Sequence, residues 1–180
     1  MVFFPSHIFL NQVLVLFQKK YYDEETMELQ IQEERMSEEK REAFLNRFKV
    51  DEKTLIGFCV LGGIFSEGID LKNDSLIGAI IVGTGIPQVG CEKEILKKYF
   101  DEQGENGFDY AYRIPGMNKV LQSAGRVIRT AEDIGIVALL DERFLDYSYK
   151  RMFPREWSKF QVVSLNEISK RVEKFWNDWL

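Results

Sequence analysis

Two short segments hold the residues whose types and spacing suit chemistry. The first is Gln122-Ser123-Ala124-Gly125-Arg126-Val127-Ile128-Arg129, a Q-x-x-G-R-x-x-R pattern. Residues three and four apart are neighbours on a helix, so Gln122, Arg126 and Arg129 share one face while Leu121, Ala124 and Ile128 turn inward. Two permanently charged, fork-shaped guanidiniums projecting together can clamp the oxygens of a phosphoryl group in transfer. A solvated helix face with surface salt bridges would produce the same spacing. The second segment, Gly62-Gly63-Ile64-Phe65-Ser66-Glu67-Gly68-Ile69-Asp70, is glycine-rich and follows an apolar run. Its glycines can expose backbone N–H groups to phosphate oxygens. A tight turn with Asp70 as a cap is the competing reading.

Both segments need elements to hold them. The apolar runs Val2-Phe4, Leu55-Leu61, Leu76-Val82 and Ile134-Leu140 are short and nearly continuous, as in strands buried on both faces of a parallel sheet. Met27, Leu29 and Ile31 alternate with polar residues and predict a half-exposed edge strand. Helical patterns lie between the strands. Ser6 stands as an N-cap before Phe9, Val13, Leu16 and Phe17; Ser37 to Phe48 is amphipathic; Glu92 to Phe100 turns Ile95, Leu96 and Tyr99 inward; Asn118 to Arg129 carries the arginines. Strand–helix alternation predicts an α/β fold in which ligands bind beyond the carboxyl ends of the strands. The loop from Gly62 to Asp70 begins at such an end. Asp101 to Asp109 reads as a linker-like polar stretch. Ser164-Leu165-Asn166-Glu167 is a capping-box pattern opening a last helix with Ile168, Val172, Phe175, Trp176 and Trp179 on one stripe, predicted to pack on the body.

Composition narrows the function classes. The 180 residues, 45% hydrophobic and 29% charged, suit one globular domain. A net charge of -5 argues against a broadly basic surface, so any nucleic-acid contact must be local. Two cysteines, Cys59 and Cys91, are too few for a disulfide framework or a four-thiolate cluster. No apolar run approaches the roughly 20 residues of a membrane span, and no signal-like N-terminus is evident. The expectation is a soluble, cytoplasmic protein without membrane contact. His7, the single histidine, has no acid or nucleophile beside it in sequence and reads as non-catalytic. Tyr110, Tyr112 and the exposed-looking Phe65 offer rings on which bases stack, with core packing the preferred alternative.

In their order along the chain, these segments resemble the motifs of superfamily 2 helicases of the XPD/DinG kind. Gly62 to Asp70 is similar to motif V and Gln122 to Arg129 to motif VI. Val2-Phe3-Phe4-Pro5-Ser6 is similar to motif IV, and Ile80 to Pro87 to the strand and loop between motifs V and VI. The resemblance covers about Val2 to Phe144 and implies a RecA-like three-layer α/β domain, mainly parallel, flanked by helices. Residues 1–180 would be the second, C-terminal motor domain of a larger DNA helicase, with 153–180 a helical extension packed on it. A strand already under way at Val2 fits a fragment.

The resemblance also implies roles. Arg126 and Arg129 match arginines that reach the γ-phosphate of ATP, with Gln122 at the same interface. Asp70, with Gly68 and Glu67 beside it, matches the nucleotide-facing part of motif V. Ser66, Ser6 and Pro5 match positions along the single-stranded DNA track. ATP and magnesium would be held mainly by a first motor domain of the same polypeptide, and any iron–sulfur cluster would belong there too. In accord, no G-x-x-x-x-G-K-[ST] and no D-E-A-H-like pair occurs, so the chain alone should not hydrolyse ATP. The alternative is a nucleic-acid-binding or protein-interaction module without an ATPase role. A self-contained small-molecule enzyme is disfavoured by the lack of a nucleophile–base pair or metal-ligand cluster.

Overall fold

The computed structural model describes residues 1–50, 52–66, 75–128, 130 and 132–179. Five strands, β1 (Val2–Phe4), β2 (Met27–Ile31), β3 (Thr54–Val60), β4 (Gly78–Val82) and β5 (Ile136–Leu140), form one sheet in the order β2-β3-β1-β4-β5, every pairing parallel. The amphipathic strand β2 lies at the edge, as its alternation requires.

Side chains alternate across a strand, so adjacent residues feed opposite faces. On one face Phe3, Cys59 and Ile81 meet Phe44 of α2 (Glu38–Arg47), its C-cap Phe48, and Met117 and Val120 of α4 (Ile114–Ala124). On the other, Phe4 and Phe58 meet Leu10, Val13 and Phe17 of α1 (His7–Lys20). Two cores thus cover one sheet. Ser6 caps α1 as the sequence predicts, its hydroxyl accepting from the Phe9 N–H at 3.2 Å, and the Ser37 hydroxyl caps α2, accepting from the Lys40 N–H at 3.3 Å. In α1, however, Leu10 is buried while Leu16 is exposed.

Edge strand β2 is tied to α2 by the carboxylate of Glu28, which accepts from Arg47 Nε at 2.7 Å. The Arg47 hydrogen bond holds the Glu28 carboxyl down at about 2, from an ordinary 4.5. A depressed carboxylate contributes stability that is present above its unfolded value and lost as pH falls through its folded one. Glu28→Gln is therefore expected to lower the thermal midpoint at pH 7 and to flatten its fall between about pH 4.5 and 2. Parallel melting curves for the two proteins across that window would contradict this.

The two cysteines differ in the same way. Burial pushes the Cys59 thiol up to about 12, whereas Cys91, at the start of α3 (Cys91–Glu102), is exposed. Because thiolates react and buried thiols do not, a thiol reagent at neutral pH is expected to label one cysteine in the native chain and two after denaturation. Rapid native labelling of both would place Cys59 elsewhere.

Three sequence expectations are corrected. Ile95, Leu96 and Tyr99 of α3 are exposed, not inward. The helix is oriented instead by its polar stripe and Phe100: Glu94 accepts from the Tyr112 hydroxyl at 2.5 Å, Asp101 from the Gly107 N–H at 2.9 Å, and Phe100 stacks on Tyr110 at 4.0 Å. The linker-like stretch to Asp109 is likewise structured. It closes α3 and enters a π-helical turn (Asp109–Arg113), where buried Asp109 is paired with both Arg113 and Arg151. Finally, α6 (Ile168–Trp179), the helix after the short α5 (Tyr147–Lys150), buries none of its residues. Its rings contact one another, Phe175 against Trp176 at 5.1 Å and Trp179 at 6.3 Å, and the packing of the extension falls to Phe153 and Trp157 on the main core. At its start the Ser164 hydroxyl donates to the Glu167 carboxylate at 2.7 Å, while the Ser164 carbonyl accepts the Glu167 N–H at 3.0 Å.

Candidate functional site at the carboxyl edge of the sheet

The carboxyl ends of β1, β3 and β4 open onto Pro5-Ser6, the turn from Leu61 to Ser66, and Gly83 to Gly85, side by side. Pairing continues past the strand ends. The Leu61 N–H donates to the Phe4 carbonyl at 2.8 Å, the Gln32 N–H to the Phe58 carbonyl at 2.8 Å, and the Val60 N–H to Gln32 Oε1 at 2.9 Å. The Gln32 side chain thus supplies the acceptor that a longer β2 would have offered. The turn then needs two glycines. Gly62 has φ +74, in the left-handed region that other residues avoid. A Cβ on Gly63 would stand 2.7 Å from Gln32 Nε2.

Ser66 closes the turn. Its hydroxyl is fully enclosed, accepting from the Gly62 N–H at 2.9 Å and from the Ser123 hydroxyl of α4 at 3.2 Å. Its carbonyl accepts from both Nε and Nη2 of Arg126, at 3.1 and 3.0 Å. The fork of one guanidinium therefore closes on a single backbone oxygen, a charge-assisted contact stronger than a neutral one. These bonds join the glycine-rich turn to the Q-x-x-G-R segment. What lets α4 come so near is a second glycine pair: Gly85 has φ +68, and a Cβ there would lie 2.5 Å from the Gly116 carbonyl, while one on Gly116 would lie 2.7 Å from the Thr84 carbonyl.

Among the predicted site residues, the structure brings Ser66 and Arg126 into contact and leaves Gln122 exposed on α4. The predicted helix from Asn118 to Arg129 is corrected at its end: α4 stops at Ala124, with Gly125 as its C-cap. Arg126 follows in a turn, so the shared helix face expected for Gln122, Arg126 and Arg129 does not continue past Gly125. Val127 is buried there, and Ile128, expected inward, is exposed. Glu67, Gly68, Asp70 and Arg129 lie outside the described residues. Pro5 and Ser6 are exposed at the edge, Pro5 beside Gly83. Phe65 takes the core position, the preferred of its two readings: it has 0% exposure and stacks on Phe44 with centroids 4.0 Å apart. Tyr112 is buried also, and Tyr110 packs on Phe100.

Sequence reasoning missed Gln32, Ser123, Lys119 and the Gly85–Gly116 approach. A polar residue directly after an alternating strand is a weak signal for Gln32. Ser123, one turn after Lys119 and three residues before Arg126, had a helical-spacing signal that the arginines overshadowed.

Chemically, this edge offers a fixed guanidinium, an amide and turn backbone, all suited to anionic oxygen. Among the described residues no group of three His, Cys, Asp or Glu side chains is placed to hold a metal ion. With Cys59 buried in the sheet and Cys91 exposed on α3, an iron–sulfur cluster does not fit either. Asp141, beyond β5, is held below the usual carboxylate range by the Arg143 guanidinium at 2.7 Å, which spends its charge locally.

Residues 1–160 match the helicase C-terminal domain family. The chain belongs to that family. Among curated relatives of this helicase domain, it is 28% identical over 130 residues to the probable ATP-dependent helicase MJ0942 of Methanocaldococcus jannaschii, covering 66% of this chain and 20% of that protein. It is 31% identical to the ATP-dependent DNA helicase CHL1 of Candida albicans over 79% of this chain and 19% of the relative. With the ATP-dependent DNA helicase DinG of Photobacterium profundum it shares 38% identity over 48% of this chain and 13% of the relative. The chain therefore spans a fifth or less of these relatives' lengths. A solved chain named XPD_APO superposes with a TM-score of 0.63 at 25% identity, covering 83% of this chain and 29% of that one. The all-parallel α/β architecture is that of the XPD helicase domain. No helix among the described residues is long and apolar enough to cross a membrane.

Proposed function

We propose that this helicase C-terminal domain is the second motor unit of an ATP-driven DNA helicase. It closes on ATP held by a first motor domain of the same polypeptide, and its carboxyl edge forms part of the single-stranded DNA track. Arg126 and Arg129 supply positive charge to the γ-phosphoryl group, with Gln122 at the interface. Asp70, Gly68 and Glu67 face the nucleotide, and Ser66, Pro5 and Ser6 line the track. Because the Ser66 hydroxyl is enclosed, its part in the track is to hold the turn that meets the strand. The observation that carries this reading is the double hydrogen bond from Arg126 to the Ser66 carbonyl, which fixes the guanidinium at the strand ends before any ligand arrives. Preorganised charge of this kind is what phosphoryl transfer requires. Magnesium, which neutralises phosphate charge when bound, is assigned to the first motor domain together with any iron–sulfur cluster, since the described residues do not suit either.

Cleft closure while the γ-phosphate is present, and release after hydrolysis, would let two domains grip a strand alternately. The isolated chain is expected to show no ATP turnover with single-stranded DNA and magnesium, whereas the full-length protein turns over ATP. Robust turnover by the isolated chain, abolished by a substitution within it, would overturn the division of labour.

A further inference from the structure

We propose that Lys119 is a phosphodiester contact of the strand track, a cation that holds nucleic acid over the Gly62-Gly63 turn; this rests on the reading of the carboxyl edge as such a track. Lys119 stands on the α4 face that also carries Ser123, one turn later. Its stem crosses Gly62 closely: a Cβ there would lie 2.7 Å from Lys119 Cδ and 2.9 Å from Cε. Glycine at 62 therefore serves two ends, the left-handed turn and the passage of this side chain. The residue is half-buried, yet among the described residues no hydrogen bond or ion pair engages its ammonium. By contrast the guanidiniums of Arg47, Arg113 and Arg151 are matched, Arg47 with Glu28 and both Arg113 and Arg151 with Asp109. Laying a long flexible stem along a turn costs side-chain entropy that no internal partner of the charge repays. An external anion is the partner the geometry calls for.

The neighbouring group has the same polarity. Gln32 is buried, its Oε1 is taken by the Val60 N–H, and its Nε2 is directed at Gly63. The two glycines are thus bracketed by the Lys119 stem, which ends in a donor, and by an amide NH₂. Donors without acceptors suit phosphate oxygen. A strand phosphodiester suits Lys119 because lysine is a hydrated, mobile point charge that tolerates the varied poses of a sliding backbone. The chain's net charge of -5 makes such a local cation necessary for any grip on nucleic acid.

The test is binding of a fluorescent oligothymidylate by this chain, without nucleotide, as salt is varied. Each single-strand phosphate contact adds about 0.7 to the slope of log affinity against log salt. Lys119→Gln is expected to reduce the slope by about that amount and to weaken low-salt binding several-fold, with the thermal midpoint unchanged. Lys119→Arg should restore the slope. An unaltered slope and affinity in Lys119→Gln, with wild-type binding intact, overturns this proposal alone. Failure of the wild-type chain to bind the oligonucleotide at low salt overturns the track reading and this proposal with it. Loss confined to binding of a fluorescent ATP analogue would assign Lys119 to nucleotide, also overturning it.

Discussion

Arg126→Ala in the full-length protein is expected to lower ATP turnover by about 10³-fold, the lower end of what an arginine finger contributes elsewhere. KM for ATP should change far less, because the charge that the guanidinium stabilises develops mainly in the transition state. The side chain has a second task, since Nε and Nη2 both hold the Ser66 carbonyl. Lysine at 126 would keep the charge but lose the fork, so Arg126→Lys should recover little of the turnover. The deciding measurement pairs steady-state ATPase kinetics with nucleotide-free DNA binding on the same variants. Normal turnover with weakened DNA binding would favour the binding-module reading, in which arginine at this edge meets nucleic-acid phosphates.

The second large effect falls on stability. Phe65→Ala is expected to destabilise the chain by about 3–5 kcal/mol, the range for removing a fully buried aromatic ring, and to lower the thermal midpoint by on the order of 10 °C. Phe65 is entirely enclosed and stacks on Phe44, which in turn contacts Phe48, so its removal leaves a hole between the turn after β3 and helix α2. Denaturant unfolding of the two proteins reads this directly. An unchanged midpoint accompanied by weaker single-strand binding would mean that the ring serves bases instead of the core. The two substitutions separate the functions of one turn: Arg126 acts on its carbonyl, and Phe65 anchors its apolar side.

How much of this was legible in the residues varies with the range of the interaction. The runs at Val2, Leu55, Leu76 and Ile134 each yield a strand, and all pair in parallel, but only the first three are interior: β5, from the last run, lies at the sheet edge and is half-buried. Ser6 as a cap is equally local, a hydroxyl meeting an N–H three residues on. The turn at Gly62 and the Q-x-x-G-R pattern were visible as separate segments. Their contact was not, because the Ser123–Ser66 and Arg126–Ser66 bonds span 57 and 60 residues.

Helical periodicity failed where a helix had no sheet to cover. In α3 the apolar stripe was read as inward, but the tie of Glu94 to Tyr112 and of Asp101 to Gly107 turned that stripe to solvent. In α6 the stripe is real and none of it is buried. Phe65 had no period to read, being a single aromatic in a glycine-rich loop; its core position follows from Phe44 arriving from α2.

By itself, then, the amino-acid order determined the strands, their caps, the α/β class and the two segments able to meet phosphate, since each follows from local polarity and backbone freedom. Only the tertiary structure decided which of those groups meet: that Arg126 leaves the helix at Gly125 to grip Ser66, that Ser123 pins the turn, and that Lys119 lies across Gly62. The physical reason is the close approach of α4 to the strand ends, permitted by glycines at 85 and 116 whose missing Cβ atoms no local pattern could interpret.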